Sequence, residues 1–214
     1  MVVPKIIHQI WIYQDTNKDK IWAINKFKDS IEKWKSKHTD FQYFFWSNVE
    51  VYNLITEEFP NLITKINKIN KKDIIILADI ARLCILYTYG GIYSDLDIVP
   101  HRNYKKLLNT DKIIFPRTDP FGFSNDLIIS PRKNKLLKII IDNIFIKNYI
   151  SLRSLKVLYS AGPLHITEQL IKNNQDFYVL PKEYYQGHLE GSTWLTKDDQ
   201  NMKNTVIQCY NTLL

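Results

Sequence analysis

Cysteine is scarce in this chain. Cys84 and Cys209 are the only two, too few for a disulfide scaffold, and Cys84 falls inside an apolar helical pattern where a free thiol acts as a small hydrophobe. A reducing, cytoplasmic setting is therefore the expectation. No apolar run reaches the roughly 20 residues that span a bilayer, because the best candidates are interrupted by Asp79 and Arg82 or by lysines. The opening, Met1 to His8, has no basic segment ahead of an apolar block and no small-residue cleavage site, so a secretory signal is not expected. There is also no internal repeat and no linker-like stretch. With 214 residues, 45% hydrophobic and 24% charged, disorder and fibrous architectures are excluded, and a single domain over residues 1–214 with a sizeable core is expected.

The formal charge is +7. That sign is compatible with nucleic acid, an anionic membrane face or an anionic small substrate. Much of the excess is lysine scattered along amphipathic segments, such as Lys26, Lys28, Lys33, Lys35 and Lys37, which is the pattern of a solvated helix face. No platform of aromatics interleaved with lysines is evident, so nucleic acid is not an expected partner. A small anionic substrate and peripheral contact with an anionic membrane face stay open.

The order of patterns suggests alternating strands and helices. Val2 to Tyr13 is β-branched and reads as a first strand, buried on both faces, with Trp11 at its C-terminal end. In open α/β sheets ligands collect at that end, where an aromatic ring can stack on a base or simply fill the rim. Ile24, Phe27, Ile31 and Trp34 recur at helical spacing and predict one amphipathic helix from about 18 to 37. Phe41 to Trp46 is a second strand. Ser47 or Asn48 then caps a helix that stops at Pro60. Further strands are predicted at 112–115, 127–130 and 177–180, with helices at 135–148 and from Pro163 to Ile171. The fold class is α/β, Rossmann-like, with a mostly parallel central sheet flanked by helices.

The stretch Leu77 to Asp97 organises the chain. Ile74, Ile76, Leu77, Ile80, Leu83, Ile85 and Leu86 make a helix apolar on nearly every side, with Asp73 as its N-cap and Gly90 just past its end. Asp79 and Arg82 fall three apart on one face of it. A buried pair at that spacing needs further partners to offset its desolvation, either substrate hydroxyls or a neighbouring loop. Gly90-Gly91 turns the backbone into Ile92-Tyr93-Ser94. If the strand runs on, Asp95 and Asp97 project to one side, about 7 Å apart at Cα, and can share one hexacoordinate cation. A lone D-x-D is common in exposed loops; the buried helix and the strand ahead of it give it weight. Near the end, 185–194 is a polar, glycine-bearing, aromatic loop of the kind that closes over ligands. His188 in it can offer an imidazole to a metal, or can simply be exposed.

These blocks resemble a known family. Pro4-Lys5-Ile6-Ile7-His8-Gln9-Ile10-Trp11, Phe44-Phe45-Trp46-Ser47, Ala78-Asp79-Ile80-Ala81-Arg82 and Tyr89-Gly90-Gly91-Ile92-Tyr93-Ser94-Asp95-Leu96-Asp97 are similar to the family-32 glycosyltransferases. That is the GT-A group with the sugar-binding region containing the DXD motif. Asn125 before Ile128-Ile129-Ser130, Gly162-Pro163 and the His188 to Trp194 tail extend the likeness. The resemblance implies metal-dependent transfer of a sugar from a nucleoside diphosphate, UDP favoured over GDP, to a hydroxyl of a glycan or lipid-linked acceptor with retention. It implies Mn²⁺ or Mg²⁺ as cofactor. Trp11, beside Ile10, would stack on the base. Asp79 and Arg82 would hold sugar hydroxyls, with Tyr93 and Asn125 nearby. Asp95 would meet the ribose or a metal-bound water, Asp97 and His188 would ligate the metal, and Ser192 and Trp194 would clamp the diphosphate. The rival readings are a phosphohydrolase of the haloacid-dehalogenase type, with Asp198-Asp199 as its later acidic pair, and a non-enzymatic basic binding module.

Overall fold

The computed structural model describes residues 2–12, 16–69, 73–117, 122–173, 177–180 and 184. Among the described residues six strands form one sheet: β1 (Ile6–Ile10), β2 (Gln42–Trp46), β3 (Gly91–Ser94), β4 (Ile113–Phe115), β5 (Leu127–Ser130) and β6 (Phe177–Val179), in the order β2-β1-β3-β5-β4-β6. β1 pairs in parallel with both β2 and β3, and β4 in parallel with β6; only β5 runs against its neighbours, β3 and β4. The mostly parallel α/β architecture expected from the alternating pattern is therefore present, with one reversed strand in its middle.

The strands carry continuous apolar runs because both faces are covered. Along β4 and β5 alternate residues go to opposite sides, Ile113, Phe115 and Ile128 into one core, Ile114, Leu127 and Ile129 into the other. The larger core packs the sheet against α3 (Asn48–Glu58), α4 (Pro60–Ile66), α5 (Ile74–Tyr89), α6 (Lys135–Asp142) and α8 (Pro163–Asn173). The smaller packs it against Trp34 of α2 (Lys28–Lys37) and against Tyr104 and Leu108 around a short 3-10 turn. Ser47 caps α3 through a reciprocal capping box with Glu50, the arrangement that satisfies two otherwise orphaned donors. Asp73 precedes α5 as expected, but its carboxylate caps nothing: it pairs with Lys156 at 2.6 Å and Arg153 at 3.3 Å on α7 (Arg153–Ser160).

Three expectations change. The predicted helix over 18–37 is two, α1 (Thr16–Lys26) and α2, joined at Phe27, where ψ is 19°. Backbone bonds from Phe27 to Ala23 and from Ile31 to Phe27 carry the hydrogen-bond ladder across the joint, so hydrophobic spacing alone does not register the bend. Ile31 and Trp34 are core residues, while Ile24 is exposed. The helix predicted over 135–148 ends at Asp142, and Ile144 and Ile146 enter the core from irregular chain. α7 has no counterpart among the predicted elements.

Gly90 and Gly91 have φ of 68° and 105°. A Cβ at Gly91 would lie 2.6 Å from the Ile6 carbonyl oxygen and 3.1 Å from Ile6 Cβ, so strand β1 lies against the glycine backbone. Gly91→Ala combines a left-handed conformation with a clash against main chain and is expected to destabilise the protein by about 3 kcal/mol. Urea unfolding measures it; a loss below about 1 kcal/mol would show that β3 can shift freely.

His8, 1% exposed, joins the same strand to the end of α5. Its Nδ1 accepts from Trp46 Nε1 at 3.1 Å, so Nε2 carries the proton and donates to the Gly90 carbonyl at 2.9 Å. Burial lowers its pKa to about 4, with the bond to Gly90 opposing. Because the folded pKa lies below the unfolded value of about 6.5, the unfolded chain binds the proton first as pH falls. The neutral imidazole therefore contributes about 3 kcal/mol above pH 6.5, lost as pH drops from 6.5 through 4. Wild type is expected to lose about 2 to 3 kcal/mol more than His8→Gln between pH 7 and pH 4.5 in denaturant titrations. Equal losses would refute the assignment.

Candidate functional site

The reversed strand builds the site. β3 and β5 pair with Ser94 opposite Leu127, so the residues just after β3 stand beside those just before β5. The Asp95 N–H donates to the Asp126 carbonyl at 2.7 Å. Asn125 and Asp95, thirty positions apart in sequence, thereby meet at one sheet end, where α5 also presents Asp79 and Arg82.

Arg82 is the hub. It is 5% exposed, and Asp79 is 3% exposed. Its Nη2 lies 3.1 Å from Asp79 Oδ1, and its Nη1 donates to the Asn125 carbonyl at 2.7 Å and reaches Asp95 Oδ1 at 3.3 Å. Asn125 Nδ2 donates to Asp79 Oδ1 at 2.8 Å. The guanidinium also lies over the Tyr93 ring, 4.7 Å from its centroid, and the Tyr93 hydroxyl donates to Asp95 Oδ1. The further partners that a buried pair requires are thus present in the protein itself.

The electrostatics follow from that packing. Burial pushes the Asp79 carboxyl above its ordinary value, and Arg82 and Asn125 pull it back. Arg82 is held charged: burial acts against it, but the carboxylates of Asp95, Asp79 and Asp126 outweigh that. Asp95 is pushed up to about 7 by burial, which Asp126 and Asp97 reinforce and Arg82 and the Tyr93 hydroxyl oppose. A carboxyl with its proton loosely held at neutral pH, beside a half-buried second carboxylate, is a place where a cation can replace the proton.

Asp95 and Asp97 do not extend the strand, as the alternation argument supposed. β3 ends at Ser94, and Asp95 to Ile98 form a turn closed by the Ile98 N–H on the Asp95 carbonyl at 3.2 Å. Leu96 and Ile98 are buried on either side of Asp97. The Asp97 side chain makes no hydrogen bond or ion pair to any described residue, whereas both Asp95 oxygens face Arg82. The two aspartates therefore differ in kind: Asp95 belongs to the internal network, whereas Asp97 is half-buried and its side chain bonds to no described residue.

At the next strand end, Trp11 continues past β1 and its N–H donates to the Trp46 carbonyl at 3.1 Å. Its ring lies 5.5 Å from Trp22 and 6.0 Å from Phe27, and its buried indole Nε1 has no partner among the described residues. Ile10 is 7% exposed within the larger core, so what it can offer a ligand is backbone. His188, Ser192 and Trp194, and the Asp198-Asp199 pair of the rival reading, lie outside the described residues.

Sequence patterning did not reach Gln9, Tyr43, Ser30 or Thr167. Gln9, fully buried in an apolar strand, sends Nε2 to the Asp95 carbonyl at 3.2 Å and accepts from the Tyr43 hydroxyl at 2.6 Å. Thr167 of α8 accepts the Phe123 N–H at 3.0 Å, fixing the loop that carries Asn125. A lone polar residue inside a buried strand was the available signal for Gln9; Thr167 had none.

The frame is that of a GT-A domain. The UDP-bound glycosyltransferase domain of the YGT toxin matches with a TM-score of 0.55 over 81% of this chain and 78% of that one at 10% identity. The catalytic domain of alpha-toxin from Clostridium novyi matches at 0.55 over 97% and 83% at 12% identity. At such identities the likeness is one of fold. In sequence, residues 25–114 match the family described as glycosyltransferase sugar-binding region containing DXD motif. Within a GT-A fold, this chain thus has a stretch similar to that family's DXD region. Inositol phosphoceramide mannosyltransferase 1 of Schizosaccharomyces pombe is 28% identical over 95% of this chain and 68% of its own. Inositol phosphoceramide mannosyltransferase 3 of the same yeast is 32% identical over 92% and 57%. A mannosyl phosphorylinositol ceramide synthase of Saccharomyces cerevisiae is 29% identical over 97% and 56%. The chain thus spans 56% to 68% of the length of these relatives.

Proposed function

We propose that this chain catalyses transfer of a hexose from a nucleoside diphosphate to a hydroxyl of a lipid-linked acceptor. The observation that carries the reading is the turn at Asp95–Asp97 set against the Asp79–Arg82–Asn125 network, within the matched DXD region. The yeast relatives are named as inositol phosphoceramide mannosyltransferases, which makes mannose the first sugar to try and an inositol phosphate headgroup the first acceptor. UDP and GDP forms of the donor both belong in the panel, and retention is the proposed stereochemical outcome. Cytoplasmic residence stays a proposal that rests on the scarce cysteines.

The donor set suits a hard divalent cation. Asp97 would hold Mn²⁺ or Mg²⁺, hard cations that favour carboxylate oxygen. Such a cation, once bound, offsets the negative charge that grows on the leaving diphosphate as the glycosidic bond breaks. Asp79, Arg82 and Asn125 are already bonded to one another before donor arrives, so little reorganisation is needed for them to orient sugar hydroxyls. Trp11, whose buried indole N–H has no partner among the described residues, is the residue proposed to meet the base. For a lipid acceptor the exposed Ile21 and Trp22 of α1, with Lys26 over the Trp22 ring at 4.7 Å, offer a basic, apolar contact to an anionic bilayer.

The test is a panel of UDP- and GDP-sugars with Mn²⁺ or Mg²⁺, with water or an inositol-phosphate lipid as acceptor. At least one donor is expected to turn over in a metal-dependent way, and product anomer configuration reads retention. Neither turnover nor metal-dependent donor binding across the panel would refute the reading.

A further inference from the structure

Among the described residues Asp97 is held only by its backbone, and two groups on α2 hold that backbone. The carbonyl of Ile98, the residue directly after Asp97, accepts from Ser30 Oγ at 2.7 Å and from Trp34 Nε1 at 2.9 Å. Ser30 and Trp34 are four apart on one helix face, 5% and 0% exposed, and 64 or more positions from Ile98 in sequence. Both lone pairs of a single buried carbonyl are thus occupied by side chains of one helix. At the other end of the same turn the Asp95 carbonyl receives Gln9 Nε2 at 3.2 Å, Ser94 Oγ at 3.0 Å and the Ile98 N–H at 3.2 Å. Trp34 is fixed in turn by stacking on His38 at 5.1 Å and by Tyr104 at 5.2 Å.

We infer that Ser30 and Trp34 are positioning residues which, through the Ile98 carbonyl, set where the Asp97 carboxylate stands and so how tightly the site holds its cation. A tryptophan that only filled the core would need some partner for its N–H. It would not need a serine one turn away on the same oxygen, next to the only carboxylate of the D-x-D turn that the internal network leaves uncommitted. Asp97 cannot be steered by its own side-chain bonds, since it makes none to the described residues. Its direction therefore depends on the backbone at Leu96–Ile98, and these two bonds are the ones that reach across from another layer. The inference rests on the proposed reading that Asp97 is the cation-holding carboxylate.

The experiment uses Ser30→Ala, Ser30→Thr and, as control, Ser160→Ala. Ser160 is also buried and also bonds backbone, accepting the Lys147 N–H at 3.1 Å, but in the α7 region. Two readouts are taken on the whole chain: amide exchange of residues 95–98 without metal, and Mn²⁺ binding in the presence of UDP or GDP, followed by the EPR signal of free Mn²⁺. Ser30→Ala is expected to speed exchange at 95–98 and to weaken Mn²⁺ binding about tenfold, as loss of supporting bonds does at metal sites. Ser30→Thr, which keeps the hydroxyl, is expected to restore both, and Ser160→Ala to change neither. Mn²⁺ affinity in Ser30→Ala equal to that in Ser160→Ala, with wild type binding normally, overturns the inference. Failure of wild type itself to bind Mn²⁺ with either nucleotide overturns instead the reading on which it rests.

Discussion

Asp97→Asn is expected to lower metal-dependent turnover of the active donor by about a hundredfold or more while leaving unfolding free energy within about 0.5 kcal/mol of wild type. The two halves have one cause. The Asp97 carboxylate is half-buried and bonds to no described residue, so removing its charge breaks no bond among them. Asparagine keeps the shape and one oxygen but removes the charge that would attract a divalent cation to a diphosphate. Steady-state rates over a metal titration, together with urea denaturation, separate the halves. Unchanged activity would remove Asp97 from the site, and a large stability loss would show that the turn uses its side chain. Asp95→Asn should behave differently, because Asp95 receives Arg82 and the Tyr93 hydroxyl while burial disfavours its charge: it is expected to lose activity and, unlike Asp97→Asn, to shift the unfolding free energy.

The largest stability effect is expected at Arg82. Arg82→Met removes the partner of a 3% exposed aspartate and leaves the Asn125 carbonyl without its 2.7 Å donor. Breaking a buried pair from one side typically costs about 3 to 5 kcal/mol, since the remaining charge is uncompensated. A fall in thermal midpoint of about 10 °C is the corresponding calorimetric result. Arg82→Lys is expected to recover little, because an ammonium cannot span Asp79, Asn125 and Asp95 as a planar fork does. Asp79→Asn added to Arg82→Met should regain part of the stability, by removing the stranded charge, and none of the activity. A stable Arg82→Met protein would mean that water reaches Asp79 and that the network is looser than its distances show.

The sequence carries a good part of this. Continuous apolar runs at 6–10, 113–115 and 127–130 are what strands covered on both faces must look like, and the two cores confirm that covering. The all-round apolar helix at 74–89 makes Asp79 and Arg82 conspicuous, because a charge there has no water to turn to. The glycine pair after it foretold a sharp approach, seen in φ values of 68° and 105°. Other features were not legible. The bend at Phe27 keeps the hydrophobic period, and α7, eight residues long with Ser160 its only buried one, was not read as a helix. The turn at Asp95–Ile98 replaced a predicted strand extension because what ends β3 is its neighbours' length and the bonds on two carbonyls, neither of which side-chain alternation encodes.

Residue types and their local spacing alone determined that this chain is α/β, that a buried ion pair precedes a D-x-D, and that its blocks resemble the DXD glycosyltransferases. Tertiary structure decided how those pieces share one place. β5 runs against β3, which sets Asn125 and Asp126 beside Asp95; Arg82 then closes on Asp79, Asn125 and Asp95 together. The same packing assigned different tasks to two aspartates that local sequence makes equivalent. Strand direction and partner contacts depend on residues tens of positions apart, and the interaction between them exists only once the chain has brought them within hydrogen-bonding distance.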